Sequence, residues 1–296
     1  MLSICIPVYN YNVCRLVEDL HKQIIKIKIP AEIIIVDDLS DEQMRITNRK
    51  ISLLPNVKYI ELENKLGRAR IRNYFSALTS YEYLLFIDCD AMVDDDKFLG
   101  KYISEFEPNT VITGGLAYEE AKPEQSFMLR WTYGRKREVI AFSTRKISPY
   151  KSFKTFNFLI PKNIFLKIMF KENIDNYGHE DTLFGYELKK NKIKILHIDN
   201  ALIHKGLESN EVFIRKTEKG LENLYRLYIE YKDNDDLIND IKILKFYKVI
   251  KNLKIKFFVM ILYKLLHKIL LRNLTGKHPY MKIFDFYKLG YMCSIT

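Results

Sequence analysis

The chain is 296 residues long, 48% hydrophobic and 29% charged, with a formal net charge of +11. That length allows one sizeable domain or a domain with an appendage, and the composition excludes a disordered or collagen-like chain. The four cysteines, Cys5, Cys14, Cys89 and Cys293, include no Cys-x-x-Cys pair, so they read as reduced thiols and exclude a disulfide framework or a zinc knuckle.

The positive charge is confined to one end. Residues 242–296 carry twelve Lys and Arg against Asp285 alone, so residues 1–241 are formally neutral. Nucleic-acid binding, which needs cations spread over a docking face, is therefore not expected. The N-terminus enters a short strand without a basic n-region or a long apolar run, and a cytoplasmic protein is expected.

Residues 2–10 form a β-branched run that Pro7 should stop, since proline does not fit within a central strand. Leu16, Leu20, Ile24 and Ile27 recur at helical spacing and predict a helix over 13–27. Residues 31–36 read as an apolar strand closed by Asp37, Asp38 and turn formers. A strand at 57–61 follows, then a turn at Gly67 and a helix over 68–79 bearing Arg68, Arg70 and Arg72. Residues 83–87 form a fourth strand that runs into Asp88-Cys89-Asp90. Apolar strands alternating with helices predict parallel strands buried on both faces. Ligands of such sheets bind beyond the carboxyl ends of the strands, so Tyr9, Asp38, Asp88 and Asp90 are expected along one edge.

Between 111 and 153 the pattern loosens into a loop or short helices over the cleft, with aromatic and basic residues around Trp131. A strand-helix unit at 155–169 contains Asn157 and a helix-starting Pro161. The acidic stretch ending in Glu180-Asp181 leads into a helix over 182–190, and one or two strands at 193–203 carry His197 and precede His204. Residues 1–210 read as one catalytic domain. Residues 211–296 read as a basic helical extension, with a helix over 211–231, a charged break at 232–236 and mostly helix beyond.

The Asp88-x-Asp90 pair by itself fits either a solvated turn or a site for Mg²⁺ or Mn²⁺, which take hard oxygen ligands and share them with phosphates. Asp38, Glu180, Asp181 and His204 at apparent loop starts add to the metal reading. Glu180-Asp181 alone also fits an acidic helix N-terminus. Trp131 suits a sugar-stacking ring or ordinary packing, and Asn157 suits a sugar contact or a local backbone cap.

Four segments resemble the successive motifs of family 2 glycosyltransferases of the GT-A fold: Ser3-Ile-Cys-Ile-Pro-Val-Tyr-Asn10, Ile35-Val36-Asp37-Asp38-Leu39-Ser40, Asn64-x-x-Gly67 with Arg72-Asn73, and Phe86-Ile87-Asp88-Cys89-Asp90. The resemblance covers roughly residues 1–210. Tyr177-Gly178-His179-Glu180-Asp181 with His204 is similar to the Trp-Gly-Gly-Glu-Asp and downstream His of the β-1,4-galactosyltransferase and chondroitin-polymerase type; here Tyr177 replaces the Trp and His179 a Gly.

The resemblance implies a Rossmann-like α/β domain with a mixed, mainly parallel sheet and an inverting transfer from a nucleotide sugar, expected to be UDP-linked, to a glycan hydroxyl. Pro7, Tyr9, Asp38, Arg68, Arg72 and Asp88 would hold the donor, with Tyr9 stacking on the base and Asp38 accepting its imide N–H. Asp90, assisted by Asp88 and His204, would hold Mn²⁺ or Mg²⁺. Asp181 would be the general base and Glu180 a sugar contact, with Trp131, Asn157, Tyr177 and Gly178 on the acceptor side.

At the C-terminal end, Lys264, Lys268 and Arg272 follow one another at i, i+4 after a seven-residue apolar run. The run is far below the ~17–25 residues of a spanning helix. A basic helix with bulky apolar residues suits the surface of an anionic leaflet, and residues 242–288 are expected to place the protein on the inner face of a bacterial membrane near a lipid-linked acceptor in surface polysaccharide synthesis. A helix packed on its own domain or on a second subunit is the competing expectation. Rival functions are a sugar nucleotidyltransferase, whose Gly-rich triphosphate loop has no counterpart in Pro7-Val8-Tyr9-Asn10, and a non-catalytic membrane- or glycan-binding protein.

Overall fold

The computed structural model describes residues 1–172 and 178–296. Its strands are β1 (Leu2–Val8), β2 (Ala31–Asp37), β3 (Val57–Glu61), β4 (Tyr83–Ile87), β5 (Ala91–Met92), β6 (Thr110–Thr113), β7 (Leu116–Ala117), β8 (Asn157–Pro161), β9 (Lys194–His197) and β10 (Leu202–His204). Seven form a sheet of order β3-β2-β1-β4-β8-β6-β9, and three form a smaller sheet of order β5-β10-β7. Every neighbouring pair of the large sheet is parallel except the two made by β8.

Side chains alternate across the sheet with period two, and both sets are buried. Ile4, Ile6, Ile33, Ile35, Leu85 and Ile87 share one core with Leu16, Val17 and Leu20 of the helix Cys14–Lys26. Cys5, Ile34, Val36, Leu84 and Phe86 share the other with Ile71 and Phe75 of the helix Arg68–Leu78 and with Phe184 and Leu188 of the helix Glu180–Lys190. Each fully buried side chain of this size contributes about 1.5–3 kcal/mol, and the runs at 33–36 and 83–87 are apolar without interruption. All four cysteines are free.

Pro7 does not end β1. It pairs with Val36 of β2 inside the strand, in register. Pairing of β1 with β4 ends at Cys5–Phe86, so Pro7 lies where β1 has only one partner and the missing N–H leaves no ladder incomplete.

The chain groups into two compact units. One comprises Met1–Tyr118, Val139–Asp175 and Glu180–Gly206, and holds both sheets; the other comprises Glu119–Glu138, Asn176–His179 and Leu207–Thr296. The stretch at 111–153, expected as a loop or short helices, does hold short helices, with an α-helix at Met128–Tyr133, a π-turn at Gly134–Glu138 and an α-helix at Phe142–Ile147; of it, Glu119–Glu138 is grouped with the C-terminal helices. Within this second unit Leu129, Phe213, Tyr263, Leu274, Phe284 and Tyr287 form the core. The helix Asn210–Glu230 carries Glu218 and Glu222, which accept from Tyr287 and Tyr291 of the last helix, Met281–Ser294. The expected break at 232–236 is shorter than its charge implied: Asn234 accepts from Leu237 N and caps a helix at Asp235–Asp240.

Candidate active site

The register of the large sheet aligns the strand ends. Val8 pairs with Asp37 and Asp37 with Glu61, and β8 begins opposite the end of β4 with Asn157 on Ile87. Asp88 therefore emerges beside the ends of β1 and β2, where parallel strands leave backbone groups and side chains free for a ligand.

Asp38 is buried and its two carboxylate oxygens accept from Leu66 N at 2.6 Å and Gly67 N at 2.9 Å. It thereby fixes the turn into the helix Arg68–Leu78, a turn that also needs glycine because Gly67 has φ +80°. Tyr9 is 48% exposed, and Lys65 Nζ sits 3.3 Å from its ring centroid. The ring is a platform open to solvent with a cation already on it.

The helix so anchored carries two arginines toward the acids. Arg72 is buried; it donates to Asp88 Oδ1 at 2.7 Å and to Arg68 O at 3.2 Å. Burial pushes the Asp88 carboxyl above the usual aspartate range, Arg72 opposes that rise, and the neighbouring Asp90 adds to it. Arg68 donates to Glu180 Oε1 at 3.3 Å, at the start of the helix Glu180–Lys190. Burial also pushes the Cys89 thiol up, so it is a neutral packing group between the two acids.

His204 reaches Asp90 through the small sheet. β10 runs antiparallel to β5 with His204 opposite Ala91, and this places His204 Nε2 3.2 Å from Asp90 Oδ2. The imidazole is held by rings on two sides, Tyr118 at 5.1 Å and Phe156 at 5.6 Å between centroids. Lys205 N donates to Asp90 O at 2.8 Å. Gly206 leaves room for the Asp90 carboxylate, which a Cβ there would overlap.

An oxygen of Asp90 and a nitrogen of His204 face one another at a separation a divalent ion can bridge, while Asp88 is already engaged by Arg72. Among the described residues no three His, Cys, Asp or Glu side chains gather as a metal-holding group. Asp90 and His204 alone would make a partial shell, of the kind that Mg²⁺ and Mn²⁺ complete with waters and substrate phosphates.

Asp181 Oδ2 accepts from Lys154 Nζ at 3.0 Å and its Oδ1 from Thr182 N at 2.7 Å. Asn157 is buried, and its amide is occupied by Tyr102 OH, Gly114 N and Gly115 O. It ties β8 to the end of β6, which is its backbone-capping alternative. His197 is a packed strand residue, bonded to Pro149 O and Arg145. In the other unit, Trp131 Nε1 donates to Glu119 O and the ring carries Arg135, while Gly178 has φ +107° and lies against Gly220. Tyr177 lies outside the described residues.

Lys65, Tyr118, Lys154 and Gly206 belong to these arrangements and were missed in the sequence. Gly206, two residues past His204, carried a usable signal. Lys154 and Tyr118 did not, because their partners are set by strand pairing.

Residues 3–172 match the family described as Glycosyl transferase family 2. Over 87 residues the chain is 30% identical to a poly-beta-1,6-N-acetyl-D-glucosamine synthase of Staphylococcus epidermidis, a match that covers 29% of this chain and about a fifth (21%) of that relative's length. The fold is similar to the mannosyltransferase PcManGT of Pyrobaculum calidifontis in complex with GDP-Man and Mn²⁺ (TM-score 0.54, 14% identity, 76% of this chain and 63% of that one). It is also similar to residues 1–349 of S. aureus TarS (TM-score 0.52, 18% identity, 97% and 89%), a fragment also solved with UDP-GlcNAc (TM-score 0.50, 17% identity, 99% and 90%). At these identities the likeness shows the fold, and it is the GT-A fold.

Proposed function

The chain belongs to glycosyltransferase family 2, and on that premise we propose that it is a metal-dependent, inverting enzyme that moves a sugar from a UDP-sugar to a hydroxyl of a glycan. The observation that carries this reading is the approach of His204 to Asp90 at the end of β4, beside the Arg72–Asp88 pair. The UDP-GlcNAc in the TarS complex and the N-acetylglucosamine polymer made by the S. epidermidis relative support the donor class. The Mn²⁺ in the PcManGT complex supports the metal.

Asp90 and His204 would hold Mn²⁺ or Mg²⁺, with Asp88 close by. When bound, the ion would supply Lewis-acid stabilisation of negative charge on the diphosphate. Tyr9 would stack on the base, and Asp38, whose oxygens already accept two backbone amides, would present its remaining lone pairs to the imide N–H. Arg68, half-exposed above Arg72, would meet a phosphate and release Glu180 for a sugar hydroxyl. Asp181 would accept the proton of the acceptor hydroxyl as that oxygen bonds to the anomeric carbon and the bond from that carbon to UDP breaks. Lys154 holds the Asp181 carboxylate in place.

The acceptor would be a lipid-linked glycan at the inner face of a bacterial membrane. Trp131, Gly178 and Tyr177 are its proposed contacts, while Asn157 would act only by shaping β8. Screening UDP- and GDP-sugars for nucleotide release with and without Mn²⁺ tests the reading. Turnover of a UDP-sugar is expected, and absence of turnover for every nucleotide sugar offered, with membrane glycans as acceptors, would refute it.

A further inference from the structure

The helix Lys256–Leu274 is apolar on two sides. Its inner side buries Tyr263, Leu270 and Leu274 among Met281, Phe284 and Tyr287. Its outer side exposes Phe257, Phe258, Ile261, Leu262, Leu265 and Ile269, with Phe258 at 70% and Leu265 at 74%. At 3.6 residues per turn these six fall in one sector of roughly 140°, a continuous stripe and not scattered exposure. Phe246, Val249 and Leu253, at and just beyond the helix Lys242–Asn252, are exposed in the same way. A surface of this size in water needs a covering partner.

The charges around the stripe identify that partner. Lys264 and Lys268 border it on one side and Arg272 stands at its end, all exposed, and no acidic residue occurs between Asp240 and Asp285. A second copy of this face would set these cations against themselves with no carboxylate between them. An anionic lipid surface supplies both complements, phosphate for the ammonium groups and acyl carbon for the Phe, Leu and Ile side chains.

We propose that this stripe lies on an anionic membrane with the helix axis in the plane of the interface. Phe257, Phe258, Ile261, Leu262, Leu265 and Ile269 insert below the headgroups, and Lys264, Lys268 and Arg272 stay at the phosphates. Among the described residues no helix is long and apolar enough to cross a membrane, so the helix lies on the bilayer without spanning it. The inner side keeps its packing throughout. This attachment does not rest on the transfer reaction, and would hold for any activity of the other unit.

The test is co-sedimentation of the full chain with phosphatidylcholine vesicles, with and without phosphatidylglycerol. Three forms are compared: the unchanged protein, Phe258→Ser with Leu265→Gln, and Lys264→Gln with Lys268→Gln. Both pairs of substitutions sit on the exposed side, and circular dichroism with a thermal melt confirms that each variant folds. The unchanged protein is expected to bind only the anionic vesicles, and each variant to lose at least roughly tenfold in partitioning. Three results would each overturn the proposal: no binding by the unchanged protein, loss in the lysine variant alone, or a concentration-dependent dimer that Leu265→Gln abolishes. The last would assign the stripe to a second copy. Nucleotide-sugar turnover, followed in parallel, separates failure of this proposal from failure of the catalytic one.

Discussion

His204 Nε2 lies 3.2 Å from Asp90 Oδ2, although the two residues are far apart in the chain. Two short strands make the meeting: β10 pairs antiparallel with β5, and the pair His204–Ala91 sets the imidazole beside the residue that precedes Ala91. A single misplaced strand residue would separate them, so the small sheet, more than the large one, sets this contact.

Gly206 tests that geometry without removing either group. A methyl there overlaps the Asp90 carboxylate and must displace it. Gly206→Ala is expected to lower kcat/KM by roughly ten- to a hundredfold, as displacements of about 1 Å do at such sites, with the melting temperature little changed. Normal kcat/KM would show that the position of Asp90 is not critical.

Arg72 is buried and paired with Asp88, whose side chain keeps some contact with solvent. Removing one partner of a fully buried pair costs about 3–5 kcal/mol, and that remaining solvation lowers the expectation for Arg72→Leu to about 2–3 kcal/mol. Urea denaturation should record the loss, and Asp88→Asn added to Arg72→Leu should restore part of it. Equal stability of the single variant and the unchanged protein would mean that the pair does not support the fold.

His197 should make stability depend on pH. Burial holds its pKa below the ordinary 6.5, the Arg145 charge acts in the same direction, and the bond to Pro149 O opposes both. Below 6.5 the unfolded chain takes up a proton that the folded one refuses. The stability present above pH 6.5 is therefore lost as the pH falls through the folded-state value, by about 1.4 kcal/mol for each unit between the two. Urea midpoints measured on both sides of pH 6.5 should fall more steeply with acid for the unchanged protein than for His197→Gln, and parallel curves would remove His197 as the cause.

Asp181→Asn keeps the shape of the proposed base and removes its proton affinity. Transfer is expected to fall by roughly 10²–10⁴, with UDP affinity unchanged in calorimetric titration. Near-normal turnover would transfer the role to another residue.

Much of this fold is legible in the sequence because the strands at the centre of the large sheet carry apolar runs such as those at 33–36 and 83–87. Tyr83–Ile87 and Val57–Glu61 coincide with their strands, and the helix Arg68–Leu78 differs by one residue from its expected end. Pro7 departs from the expectation because the rule against proline in central strands assumes two partners, and β1 has only one at that point. Asp38, Asp88, Asp90 and His204 are visible as motifs. Lys154 against Asp181 and Lys65 over Tyr9 are products of tertiary placement, with no local pattern to betray them. Asn157 stays open between a sugar contact and a backbone cap in the sequence because a buried amide that braces two strands has the same signature there as one that faces a substrate.

In the proposed reaction Asp90 holds a divalent ion against the donor's diphosphate. Calorimetric titration of UDP into the protein with and without Mn²⁺, for the unchanged chain and for Asp90→Asn, addresses it most directly. Mn²⁺ is expected to tighten UDP binding to the unchanged chain by at least roughly tenfold and to have little effect on Asp90→Asn. UDP binding of equal strength with and without Mn²⁺, or a Mn²⁺ effect that survives Asp90→Asn, would contradict it.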